Sequence, residues 1–266
     1  MKFKTLETTL SPNGVLTVKL NRPDIRNAFN AVMIDELHQV FGKDAENKKV
    51  KIVVFRGEGS NFCAGGDLAW MKNSSKLTVK QNLVETRHLS DMFRTINECT
   101  KPIIGAVHGA AIGGGVGLVS VCDYVIATTD TTFSLSEVRL GIVPACIGPF
   151  VVAKIGASHA RALFISAERF QSPKAFEIGL IHEIAKDSMA LDIAVERVTS
   201  NMLKAGPRAM SIAKQLVLDL TWPERRVKIK NCYEYVSKTL SELRVTPEAQ
   251  EGLKAFLEKR TPVWPQ

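Results

Sequence analysis

The sequence predicts an α/β protein: a core of buried parallel strands joined by helices, followed by a helical C-terminal region. Three observations carry this. Short apolar runs alternate with helical stretches up to about residue 185, the βαβ rhythm of a parallel sheet covered on both faces. Two strand-to-helix turns are made of small residues, Cys63-Ala64-Gly65-Gly66 and Gly113-Gly114-Gly115. From about Leu191 onward the signals are helical, with breaks at Gly206-Pro207, Trp222-Pro223 and Thr246-Pro247. The core is set at residues 1–200 and the helical region at 201–266.

Taken in order, Val15–Leu20 alternates as a strand does. Asn21-Arg22-Pro23-Asp24 breaks it, and a helix is expected over 30–46 with Met33, Leu37, Val40 and Phe41 on one face. Residues 50–55 read as a second, fully buried strand, and 57–60 as a loop. The segment 72–80 is polar and mobile-looking, and a long helix is expected over 84–99. A strand from Ile103 to Val107 leads into the glycine cluster and a helix. Residues 123–127 and 132–135 read as further short strands.

At 266 residues, with 45% hydrophobic and 23% charged residues, the chain has the composition of a soluble globular protein with a sizeable core. The formal charge of +8 favours an anionic partner such as a nucleotide or a phosphorylated cofactor. The basic residues are scattered, with no aromatic-interleaved patch, so nucleic acid has no support. Five cysteines without disulfide or metal-ligand spacing imply a reducing compartment and no metal site. The first residues show no secretory or transit pattern, so a cytoplasmic location is expected. Residues 102–122 are apolar and long enough to cross a membrane. They even carry Gly105, Gly109, Gly113 and Gly117 at the spacing of transmembrane packing motifs. Glycines cost a helix about 1 kcal/mol each, and there is no second span, so no membrane is expected.

A glycine turn that opens a helix lets a ligand approach unpaired N–H groups at the positive end of the helix dipole. Two such turns, each offering one N–H, suit an oxygen that turns negative during a reaction. Glu137 lies downstream among apolar residues, where a carboxyl with a raised pKa suits acid/base work. Taken singly, each feature also reads as plain structure: a buried corner, or a helix-cap carboxylate.

Taken together and in this order, the segments resemble the crotonase (enoyl-CoA hydratase/isomerase) superfamily. The resemblance rests on Leu20-Asn21-Arg22-Pro23, Asn27-Ala28-Phe29-Asn30, Phe62-Cys63-Ala64-Gly65-Gly66-Asp67-Leu68, the turn at 113–117, the run from Glu137 to Pro144, and a closing Glu251-Gly252-Leu253-Lys254-Ala255-Phe256-Leu257-Glu258-Lys259-Arg260. It implies a crotonase-type spiral of four ββα turns, with C-terminal helices that build trimers, often paired into hexamers. It also implies an acyl-CoA thioester whose carbonyl is held by the N–H groups of Ala64 and Gly114, with Glu137 as acid/base. Arg26 and Ala28 are then expected beside the CoA nucleotide, together with Phe256 and Lys259 from a neighbouring subunit. Gly65, Gly66, Asp67, Leu68, Gly113, Gly117, Arg139 and Pro144 are expected around the substrate. CoA arrives as part of the substrate, and no separate cofactor or metal is implied.

Hydratases of the two-glutamate type carry a glutamate two residues after the glycine triplet, where this chain has Gly117. Phe62 to Met71, Leu135 to Ala145 and Pro149-Phe150-Val151-Val152 look like bacterial methylglutaconyl-CoA hydratases, and isohexenylglutaconyl-CoA hydratases are similar. Hydration of 3-methylglutaconyl-CoA is the leading expectation. The alternatives are a Δ3,Δ2-enoyl-CoA isomerase, a general enoyl-CoA hydratase, and a non-catalytic acyl-CoA or RNA binder. Arg139 is a candidate cation for a second substrate carboxylate, and His108 a candidate proton relay. Both also read as structural residues, and Cys63 and Cys146 read as packing.

Overall fold

The computed structural model describes residues 3–265, and its strands and helices follow one another as repeated turns. The first turn holds β1 (Leu6–Leu10), β2 (Val15–Leu20) and α1 (Ala31–Gln39). The second holds β3 (Ile52–Gly57), α2 (Leu68–Ser74) and α3 (Val79–Glu98), and the third β4 (Ile103–Val107), β5 (Ala110–Ile112) and α4 (Gly114–Ser120). The fourth holds β6 (Tyr124–Thr128), β7 (Thr132–Ser134) and α5 (Gly148–Ser166), the last interrupted at Gly156, whose φ is +76°. Then come β8 (Arg169–Gln171), α6 (Ser172–Glu177), β9 (Glu183–Ala185) and α7 (Ser188–Met202). The chain closes with α8 (Pro207–Thr221), α9 (Pro223–Arg226), α10 (Cys232–Arg244) and α11 (Pro247–Leu257).

Strands β1-β2-β3-β4-β6-β9 form one sheet, parallel throughout except for the β1–β2 hairpin. A smaller sheet, β5-β7-β8, is extended by parallel bridges from Phe29 to Gly66 and from Cys63 to Ala111. Each turn therefore sends one strand into the large sheet and the next extended segment into the small layer. That is the ββα spiral, and both small-residue turns lie in the small layer.

Alternation on the strands feeds two cores. Val53 and Phe55 face the larger one, shared with Phe29, Phe62 and Phe93, while Ile52, Val54, Ile104 and Ile126 face Leu191, Val195 and Val198 of α7. With both faces covered, the central strands read as nearly unbroken apolar runs. β1 was not expected: its sequence, Leu-Glu-Thr-Thr-Leu, is polar because it sits at the sheet edge and is largely exposed.

The helix expected over 30–46 starts as expected, with the Asn30 side chain accepting from the Met33 N–H, but it changes to a π-helical turn at Val40–Asp44. The segment expected to be mobile is helical at both ends. Asp67 caps α2, and a capping box of Thr78 and Gln81 starts α3 five residues earlier than expected. The apolar run 102–122 divides into β4, β5 and α4, and no helix among the described residues is long and apolar enough to cross a membrane.

Candidate active site

The two small-residue turns lie side by side because their strands are paired. The Cys63 N–H donates to the Ala110 carbonyl and the Ile112 N–H to the Cys63 carbonyl, both at 3.0 Å. Gly65, at φ +90°, passes so close to the third turn that a methyl group there would lie 2.8 Å from the Ile112 oxygen and 3.5 Å from the Gly114 nitrogen. Only glycine permits this approach.

Gly113, at φ +53°, turns the chain into α4, and its carbonyl accepts from Val116 (2.9 Å) and Gly117 (3.3 Å). The Gly114 N–H, first in the helix, has no acceptor among the described residues. The other expected donor needs correction. The Ala64 N–H donates to the Arg26 carbonyl at 2.9 Å and is therefore already used. Next along the chain, the Gly65 carbonyl and the Asp67 N–H both pair with Phe29, at 2.8 and 2.9 Å. Because extended backbone alternates its polar groups, the Gly66 N–H points away from Phe29, and it has no acceptor among the described residues. The free pair is Gly66 and Gly114.

Glu137 opens a short 3-10 turn, Glu137–Leu140, that Gly141 closes at φ +72°. Its carboxylate lies against Gly113, where a methyl group would be 3.1 Å from Oε1. Oε2 is buried without any hydrogen-bond partner, and burial pushes the carboxyl pKa up from its ordinary 4.5. A buried, unpartnered carboxylate oxygen costs a fold stability, so its retention calls for an explanation. Beside it, Gly117 is walled in: a methyl group there would lie 2.2 Å from Ile147 Cγ2 and 2.9 Å from the Phe93 ring. The position of a second glutamate is occupied by packing.

Asp67 needs correction as a substrate contact, since both of its oxygens are used within the chain. Oδ1 accepts from the Ala69 and Trp70 N–H groups, at 2.8 and 3.2 Å, and Oδ2 pairs with Arg22 at 2.9 Å. Burial pushes its carboxyl up, but these N–H donors and the guanidinium outweigh that and hold it below its ordinary value. Leu68 is exposed beside it, Ala28 and Pro144 are buried, and Arg26 is exposed at φ +54°. Arg139 is exposed and has no side-chain partner among the described residues. Phe256 and Lys259 are exposed at the end of the chain. His108 binds the Gly59 carbonyl at 2.8 Å, which is the structural role. The buried Cys63 thiol is pushed up to about 12 by desolvation, so it stays protonated and packs. The expectation missed Phe29, whose ring covers Gly114, and Asn27, which is fully buried and bonds to the Glu58 and Asn61 carbonyls at 2.8 and 2.7 Å. Their motif was visible in sequence, but their partners lie in later turns of the spiral, Glu58 and Asn61 in the second and Gly114 in the third.

Two unpaired N–H donors, on turns that meet where Gly65 approaches Gly114, and one unpaired carboxylate oxygen beside Gly113 can stabilise an oxyanion and move a proton. Residues 11–266 match the family model described as enoyl-CoA hydratase/isomerase. The fold matches a crystal structure of an enoyl-CoA hydratase from Shewanella pealeana with a TM-score of 0.92 and 38% identity, over 99% of this chain and 97% of that one. The 2,3-dehydroadipyl-CoA hydratase of Escherichia coli is 30% identical over 93% of this chain and 94% of its own length. The peroxisomal Δ(3,5)-Δ(2,4)-dienoyl-CoA isomerase of Arabidopsis thaliana is 28% identical over 98% of this chain and 96% of its own. With its ββα spiral, its paired glycine turns and a family match over nearly its whole length, the chain belongs to the enoyl-CoA hydratase/isomerase family.

Proposed function

We propose that the protein adds water to a branched 2-enoyl-CoA, converting 3-methylglutaconyl-CoA to 3-hydroxy-3-methylglutaryl-CoA in leucine degradation. The observation that carries the reading is the Glu137 carboxylate, buried and unpartnered at Oε2 and lying against Gly113, the residue before the free Gly114 N–H. In this scheme the Gly66 and Gly114 N–H groups donate to the thioester oxygen as it becomes an enolate. Glu137 takes a proton from water while the water oxygen bonds to C3. The same carboxyl then returns that proton to C2, so one water is added and the site is regenerated. Only backbone and side-chain groups act, with CoA supplied by the substrate.

A second carboxylate on the acyl chain is supported by a relative named for 2,3-dehydroadipyl-CoA, and Arg139, exposed and unpaired, is the cation offered to it. Arg26 and Ala28 are assigned to the CoA nucleotide, with Phe256 and Lys259 reaching it from a neighbouring copy in a trimer or dimer of trimers. Exposed apolar side chains on the closing helices, among them Leu253, Phe256 and Leu257, support such an assembly.

Turnover of 3-methylglutaconyl-CoA, crotonyl-CoA and a 3-enoyl-CoA, with products identified by mass, tests the reading. Preference for the first, with a gain of one water, is expected. Consumption of the 3-enoyl ester alone, without mass change, overturns it in favour of an isomerase. That second reading has its own support: with Gly117 walled in, a lone carboxylate is all that a proton shuttle between carbons requires.

A further inference from the structure

The two free donors are held in different ways. Gly114 belongs to a helix whose backbone fixes it, whereas Gly66 lies in an extended turn held from outside. Its neighbours Gly65 and Asp67 pair with Phe29, and Ala64 with Arg26. The segment that accepts and donates these bonds, residues 22–29, contains two non-glycine residues in left-handed conformation, Arg26 (φ +54°) and Asn27 (φ +56°). Such a segment keeps its shape only where its surroundings over-determine it. Here one side chain does so from both ends. Arg22 donates to the Ala28 carbonyl at 2.6 Å and to Asp67 Oδ2 at 2.9 Å, with only 21% and 13% of the two ion-paired side chains exposed. Its own N–H is fixed by Asn27 Oδ1 at 2.9 Å. Asp67 also caps α2, so the guanidinium ties the strained segment, the donor turn and the helix start together.

We propose that Arg22 is a positioning residue for the reaction: through Asp67 and Ala28 it sets the direction in which the Gly66 N–H meets the thioester oxygen. This rests on the reading that Gly66 and Gly114 hold that oxygen. A planar guanidinium reaching two acceptors fixes an angle as well as a distance, which a lysine ammonium does less well. A misplaced donor weakens its bond to the developing charge more than it weakens substrate binding.

The test is the infrared carbonyl band of crotonyl-CoA labelled with carbon-13 at the thioester carbon, bound to Glu137→Gln protein so that it is not consumed. In that background Arg22→Met and Asp67→Asn are expected to remove half or more of the downward displacement of the band, and Arg22→Lys to restore part of it, with affinity within about threefold. In the otherwise native enzyme, Arg22→Met lowers kcat about tenfold or more while KM stays within about threefold. Asn still caps α2 at position 67, so Asp67→Asn removes the ionic tie and keeps the helix start. An unchanged displacement in Arg22→Met and Asp67→Asn overturns the proposal. Failure of both variants to fold, seen by circular dichroism, overturns it as well, because the pair is then a brace of the fold. Absence of any displacement in the Glu137→Gln protein itself overturns instead the reading of Gly66 and Gly114, and the proposal with it.

Discussion

Glu137 is placed by two pressures that oppose each other. The short turn ending at Gly141 pushes its carboxylate towards Gly113, and burial of Oε2 without a partner penalises the charged form. The raised pKa has consequences of definite sign. As a base, the carboxylate is lost when pH falls through that raised value, so kcat/KM declines on the acid side above pH 4.5, the ordinary glutamate value. For stability the sign is reversed. The folded state holds the proton more tightly, so the contribution is present at low pH and is lost as pH rises through the folded pKa. Replacing Glu137 by Gln keeps the shape and removes the titration. Turnover falls about 100-fold or more, the acid limb disappears, and acyl-CoA affinity stays near normal in a direct binding assay. Retention of a tenth of the native rate would contradict the assignment.

At the scale of elements, helix starts are set by single capping side chains: Asn30 for α1, Asp67 for α2, Thr78 for α3 and Asp187 for α7. The helix α4 is different, because its opening depends on the absence of side chains. Gly113, Gly114 and Gly117 face Glu137, Phe29 and Ile147 respectively, at distances that leave no room for a methyl group at the last two. Gly117→Ala is therefore expected to destabilise the protein by about 1–3 kcal/mol, as overpacking does, measured by urea unfolding. Gly117→Glu is expected to lower activity and stability together, because Ile147 and Phe93 occupy the space a second carboxylate needs. Ile147→Ala in the Gly117→Ala background recovers part of the loss if this contact is the cause.

At the scale of the molecule, α8 is fastened to the core by few polar contacts. Lys214 Nζ, whose side chain is 7% exposed, pairs with Asp123 Oδ2 at 2.8 Å and reaches the Lys101 carbonyl at 3.3 Å. The same Asp123 oxygen accepts from the Ile103 N–H at 2.8 Å, so the tie reaches the start of β4. Glu248 of α11 accepts from the Arg208 and Ala209 N–H groups, at 3.0 and 2.8 Å, and so joins the last helix to the first turn of α8. Lys214→Met leaves Asp123 without its cation while keeping the apolar stem. A loss of about 1–3 kcal/mol is expected, and α8 amides should exchange faster with solvent while those of α7 are unchanged. Equal acceleration in both helices would show that they open as one unit.

Much of this protein was legible in its sequence. Apolar periodicity marked the central strands, because a strand covered on both faces has no use for charge. The glycine turns stood out because close backbone approach leaves few residue types to choose from, and Glu137 because a carboxyl among apolar residues is unusual. What the sequence could not decide depended on partners far along the chain. Whether the free donor is Ala64 or Gly66 turns on which N–H faces the 26–29 segment, a matter of strand register two residues wide. Whether position 117 had room for a second glutamate was decided by Ile147 and Phe93, which only the folding of α5 and α3 over α4 brings there. Asp67 looked like a substrate contact until Arg22 and the start of α2 were found to use both of its oxygens. The sequence by itself determined the buried parallel strands, the glycine turns and a carboxyl set among apolar residues at 137, since these follow from residue type and local order, whereas the spiral came only through the family resemblance. Tertiary structure alone decided which backbone N–H groups stay unpaired and which space stays empty, because both depend on surfaces that meet only after the turns have stacked.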